Sequence, residues 1–231
     1  MNTEFSKKHL SHFYTKVWLF LVPYLVLLTS CLIIKLLYTR DEIYFYINGL
    51  HSNWGDAVFP FFTMLGNGSS LIILALIIAL FNYRKAFLLI TGYALTGLVA
   101  QILKAIFDMP RPYLYFEHER TKMYLIKGID MLSYHSFPSG HTVTAFSACI
   151  TLAYLFKNKY LDLSLLVLAC CVGYSRMYLS QHFFEDVTAG SVVGVVVTLF
   201  WLYFLDNRPF LYRGKWRGGL LVKADKNSIH H

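Results

Sequence analysis

The sequence predicts an all-α integral membrane protein with six transmembrane helices, and three observations lead there. Of its 231 residues, 56% are hydrophobic and only 15% charged. The mean hydropathy of +0.48 belongs to a chain solvated by lipid rather than water. Apolar runs near the spanning length of about 20 residues recur along it. Lysine and arginine are unevenly shared among the segments that join those runs, which is the asymmetry that sets orientation across a bilayer.

Taken in order, residues 1–16 are polar and basic and read as a cytoplasmic tail. The first run, 17–38, is longer than a signal-peptide core and lacks a small-residue cleavage site, so it is expected to stay as an anchor. Run 58–81 is broken by Gly66-Asn67-Gly68. It reads either as one kinked span or as an interfacial helix followed by a short span. Runs 86–107, 141–156, 161–179 and 184–205 complete the six, two of them a little short. One membrane domain is therefore expected over 17–207, with a second basic tail over 208–231. So compact a layout points to a bacterial inner membrane.

With the N-terminus inside, the inner segments hold Lys7, Lys8, Lys16, Arg84, Lys85, Lys157, Lys159, Arg208, Arg213, Lys215, Arg217, Lys223 and Lys226, thirteen of the twenty-one basic residues. Both termini are thus expected in the cytoplasm. The net charge of +8 is mostly this inner bias; anionic headgroups are its natural partner, and no nucleic acid is needed to explain it. Cys31, Cys149, Cys170 and Cys171 all lie in apolar runs and show neither a disulfide framework nor metal spacing. Glu117-His118-Glu119 are consecutive, which does not place three side chains around one ion.

Against this apolar background three stretches concentrate chemistry. SRMYLSQHFFED, residues 175–186, sets His182 and Asp186 four apart, on one face if the chain from Phe183 is helical. The carboxylate would then hold one ring nitrogen as N–H and leave the other free as a nucleophile or base. Arg176 is close enough to offer its planar fork to an oxyanion beside it. KAIFDMPRP, 104–112, carries Lys104 at a span end and Arg111 before a proline that favours extended backbone. PSGH, 138–141, opens a span. Free N–H groups near Ser139 and Gly140, backed by a helix dipole, would form an anion cradle, and His141 could give a proton to a leaving group. Each stretch alone also reads as ordinary span-end chemistry, with basic side chains snorkelling to the surface and a capped helix start. The alternating topology brings all three to the same outward face, where three cations and two imidazoles suit a phosphate.

Together the three stretches, in this order and spacing, resemble the three-part signature of the type 2 phosphatidic acid phosphatase superfamily, the lipid phosphate phosphatases related to vanadium haloperoxidases. The resemblance covers roughly residues 86–205. It implies a phosphatase bundle around an outward-facing site, acting on a phosphorylated lipid of the outer leaflet. Undecaprenyl diphosphate, phosphatidylglycerophosphate, phosphatidic acid and lipid A phosphate are the substrates it leaves open. It implies that His182 attacks phosphorus to form a phosphohistidine, that Asp186 orients it, and that His141 protonates the leaving oxygen. Lys104, Arg111, Arg176, Ser139 and Gly140 would hold the phosphoryl oxygens, with no metal or cofactor. Glu185, three residues after His182, competes with Asp186 by geometry alone, but the motif selects Asp186. Two other functions fit the same residues: a lipid phosphotransferase using the same intermediate, and a non-enzymatic membrane protein that only binds an anion.

Overall fold

The structure is a computed structural model that describes residues 3–156 and 158–223, with side chains from Phe13 onward. Lys157 and Lys226 of the charge pattern lie outside the described residues, as do the side chains of Lys7 and Lys8. The described chain is helical with irregular connections. Helix α1 (Thr3–Leu37) contains Pro23; it starts well before the expected first span of 17–38 and ends one residue before that span does. Helix α2 (Arg40–Asn48) starts at a capping box, in which Thr39 accepts from the Glu42 N–H and Glu42 answers to the Thr39 N–H. The broken run resolves into α3 (Asn53–Leu65) and α4 (Gly68–Phe81), capped by Ser52 and Asn67 and bent by 57°. Then come α5 (Tyr83–Phe107), the single turn α6 (Pro112–Tyr115), α7 (Gly140–Phe156), α8 (Lys159–Tyr178) and α9 (Phe184–Leu205).

Four helices, α1, α5, α8 and α9, are each long and apolar enough to cross a membrane. The bent pair α3–α4 makes a fifth crossing if taken as one broken span. The expected six would need α7, a shorter apolar helix of 17 residues, so length and composition carry four to five spans and leave the sixth unconfirmed. Helix α7 is short and rich in Ser and Thr because it is the middle of the bundle. Thr142, Thr144, Ser147 and Thr151 are all buried there. The hydroxyls of Thr142, Ser147 and Thr151 are satisfied locally or across helices, as in the Thr198 to Ser147 hydrogen bond of 2.7 Å.

Close backbone approach sets the core of the bundle. A Cβ added at Gly190 would lie 2.8 Å from the Ser139 carbonyl oxygen, and one at Gly194 would lie 2.7 Å from that of Val143. The spacing of four puts both glycines on one face of α9, which lets it press against the start of α7. At the far end Asp206 is buried and accepts from Arg84 Nε at 2.9 Å and Tyr154 Oη at 2.7 Å. That ties the start of α5 to the ends of α7 and α9. Part of the expected C-terminal tail folds against this end: Leu220 and Leu221 donate to the carbonyls of Ala79 and Leu80, and Trp216 packs edge-on to Phe87.

Candidate active site

The opposite end of the bundle holds the polar cluster. Helix α5 delivers Lys104 in its last turn and stops at Asp108, which takes a left-handed φ of 37°. Lys104 Nζ donates to the carbonyl of His135 at 2.7 Å. Arg111 is extended (φ −81°, ψ 164°) ahead of Pro112, as its position predicts. Its buried guanidinium donates from Nε to Tyr134 O at 2.9 Å and from Nη1 to Gln181 O at 3.2 Å, and Nη1 lies 3.3 Å from His182 Nε2. A guanidinium has no lone pair to give, so Nε2 is the acceptor and the ring proton sits on Nδ1.

Nδ1 faces Asp186, with Oδ2 3.6 Å away, just beyond a direct hydrogen bond. Oδ2 instead accepts from the Ser136 hydroxyl at 2.5 Å and the Phe183 N–H at 2.8 Å, and Ser136 Oγ also lies 3.5 Å from Nδ1. Asp186 therefore caps α9 while facing the imidazole. The helix begins at Phe184, so His182 precedes it rather than lying on its surface. The chain reaches this position by a turn at the end of α8, where Arg176 O accepts the N–H groups of both Gln181 (2.9 Å) and His182 (3.2 Å) and Ser180 takes a φ of 53°. Burial, together with Arg111, Arg176, Lys104 and His141, holds the His182 imidazolium pKa well below its ordinary value, so the ring is neutral.

Arg176 is buried at the end of α8, hydrogen-bonded to Thr63 of α3, with Nη2 3.5 Å from Gln181 Oε1. The cradle expected at PSGH is corrected in one respect. Ser139 N–H is not free, because it donates to the Asp186 carbonyl at 3.0 Å. The unspent donors begin at Gly140, the first residue of α7. Ser139 Oγ accepts from Thr142 at 2.9 Å. Half-buried His141 joins Lys104 and Gly140 on the wall of a cavity of about 180 Å³. Glu185 turns away from this cluster to Arg40 and, at 3.5 Å, Lys35.

All eight expected side chains and turns meet at one end. The sequence reading missed Ser136 and Gln181, whose amide oxygen reaches both arginines at 3.4 and 3.5 Å. It also missed α2, whose Tyr44 and Asn48 hold Ser180 Oγ at 2.9 and 3.2 Å and so brace the turn before His182. The Thr39–Glu42 capping box followed by Ile43, Tyr44 and Ile47 was the available signal for α2.

A helical membrane bundle that closes three cations around a neutral histidine is built to hold and act on an oxyanion. The chain belongs to the PAP2 superfamily, whose sequence profile matches residues 85–210. It is 27% identical over 177 residues to undecaprenyl-diphosphatase BcrC of Bacillus subtilis, covering 74% of this chain and 86% of that protein. Among solved structures it resembles LpxE of Aquifex aeolicus, with a TM-score of 0.61 and 28% identity over 71% of this chain and 94% of the other. It also resembles the transmembrane PAP2-type phosphatidylglycerolphosphate phosphatase of Bacillus subtilis, with a TM-score of 0.57 and 26% identity over 82% and 94%.

Proposed function

We propose that this protein is a membrane lipid phosphatase that hydrolyses a phosphate monoester or diphosphate of an outer-leaflet lipid through a phosphohistidine on His182. The observation that carries the reading is the geometry of the buried His182 ring: Nε2 lies 3.3 Å from Arg111 Nη1 and Nδ1 faces Asp186, which assigns the lone pair to Nε2 and the proton to Nδ1. In the first step the Nε2 lone pair bonds to phosphorus as the bond from phosphorus to the lipid oxygen breaks, and His141 gives its proton to that oxygen. Lys104, Arg111, Arg176, the Ser139 hydroxyl and the free N–H groups from Gly140 onward take the negative charge that gathers on the phosphoryl oxygens. In the second step water attacks phosphorus, His141 takes its proton, and the N–P bond breaks to release phosphate.

The basic bias supports placing both termini in the cytoplasm of a bacterial inner membrane, with the site facing outward. In that arrangement 17–207 is the catalytic membrane domain, flanked by basic segments 1–16 and 208–231. The test is phosphate release by the purified protein in detergent, with a chelator present. Undecaprenyl diphosphate, phosphatidylglycerophosphate, phosphatidic acid and a lipid A phosphate form the panel. Release from at least one, blocked by vanadate, is expected. No release from any of them would turn the reading toward simple anion binding, and activity restored only by a divalent ion would overturn the metal-free step.

A further inference from the structure

The cavity beside His141 has a composition that phosphoryl chemistry alone does not need. On α5, Tyr93, Gly97, Gln101 and Lys104 fall at spacings of four, four and three, so they share one face and line it from the membrane interior up to the phosphate cluster. Gly97 leaves that face open, with nothing within 4 Å of where a Cβ would stand. The opposite wall is the break between α3 and α4. A Cβ on Gly66 would lie 3.1 Å from His141 Cβ, so only glycine lets the break come this close, and it brings Asn67 to the mouth.

Two carboxamides therefore line a cavity that starts at the candidate acid. Asn67 caps α4 through Oδ1, which accepts from Ser69 N at 3.5 Å, and its Nδ2 keeps two protons to donate. Gln101 is exposed within a span and has no side-chain hydrogen bond among the described residues. A polar group in that position has a cost in lipid and marks a path for something polar. Lys104 and Gly140 mark the end where the cavity meets the transferred phosphate, and no carboxylate lines it. The volume of about 180 Å³ is well above the roughly 10–15 Å³ that a single water needs. That suits a compact anionic group.

We infer that this cavity is the leaving-group subsite and that Asn67 and Gln101 recognise the second phosphate of a lipid diphosphate. The inference rests on the proposed function, because His141 as proton donor places the departing oxygen on this side of phosphorus. The two carboxamides are specificity residues: they hydrogen-bond the phosphate that leaves, while the three cations hold the phosphate that is transferred.

The test compares farnesyl diphosphate with farnesyl monophosphate, which share one chain, using the purified full-length protein in detergent. Wild type is expected to favour the diphosphate in kcat/KM. Gln101→Glu and Asn67→Asp keep shape, and aspartate keeps the α4 cap. Each sets a carboxylate against the second phosphate. The ratio of diphosphate to monophosphate kcat/KM should fall about ten-fold or more in each, the scale of losing a hydrogen bond to a charged group. An unchanged ratio in both variants, or a wild type that cleaves only the monophosphate, would overturn the subsite while leaving the phosphatase reading intact. A wild type that releases phosphate from neither compound nor from phosphatidic acid would overturn the phosphatase reading itself.

Discussion

At the scale of single residues, the two histidines of the site have different neighbours, and the proposed function gives them different work. His182 faces Asp186 through Nδ1 and Arg111 through Nε2, whereas His141 opens α7 beside the cavity. His182→Ala should lose essentially all turnover whatever the leaving group, since no covalent intermediate forms. His141→Ala should be slowed by roughly 10²–10⁴-fold on phosphatidic acid, whose alkoxide needs a proton. It should be far less impaired with nitrophenyl phosphate, and equal losses on both in single-turnover measurements would remove His141 as the acid. His182 also has a pH signature. Its folded pKa lies below the unfolded value of about 6.5, so the unfolded chain binds the extra proton and stability falls as pH drops through 6.5. Thermal melts between pH 7 and 5 should show a steeper loss for wild type than for His182→Gln; parallel curves would contradict the assignment. The histidines, arginines and Asp186 were legible because charge is rare in so apolar a chain. Ser136 and Gln181 were not, since an isolated serine or glutamine in a loop carries no pattern until the fold sets it against a carboxylate or two guanidinia.

At the scale of elements, the site is held by contacts that motifs do not announce. The long apolar runs were readable from hydropathy, and the break at Gly66-Asn67-Gly68 from its glycines. That the break packs on His141 depends on tertiary approach alone. Helix α2 was hidden because its nine residues are too short and too polar to register beside spans. The α7–α9 contact is the most exacting. Gly190→Val would drive its side chain into the Ser139 carbonyl and pry Asp186 O from Ser139 N. Overpacking of this kind typically costs about 1–3 kcal/mol. Activity should fall at least about ten-fold while far-UV circular dichroism keeps its helical signal. Full activity in Gly190→Val would show that this contact does not set the site.

For the whole molecule, three stretches spread over more than eighty positions matter only if alternate crossings return them to one face. In the structure the Lys104 end of α5, the start of α7, the end of α8 and the start of α9 lie together, and Asp206 gathers the other ends. The shape of the bundle therefore followed from hydropathy and charge, but the number of crossings did not, because a buried central helix needs neither the length nor the greasiness of a lipid-facing one. In a background lacking the four native cysteines, single cysteines at Lys122 and Asn158 should label from opposite sides of the membrane. Labelling of both from one side would break the topology. The most direct measurement is of the intermediate itself. Purified protein mixed with a lipid phosphate labelled at phosphorus, and quenched in alkali within one turnover, should yield labelled protein that is stable in base, labile in acid and absent from His182→Ala. Turnover with no labelled protein at any quench time, or label that survives in His182→Ala, would contradict a phosphohistidine at this residue.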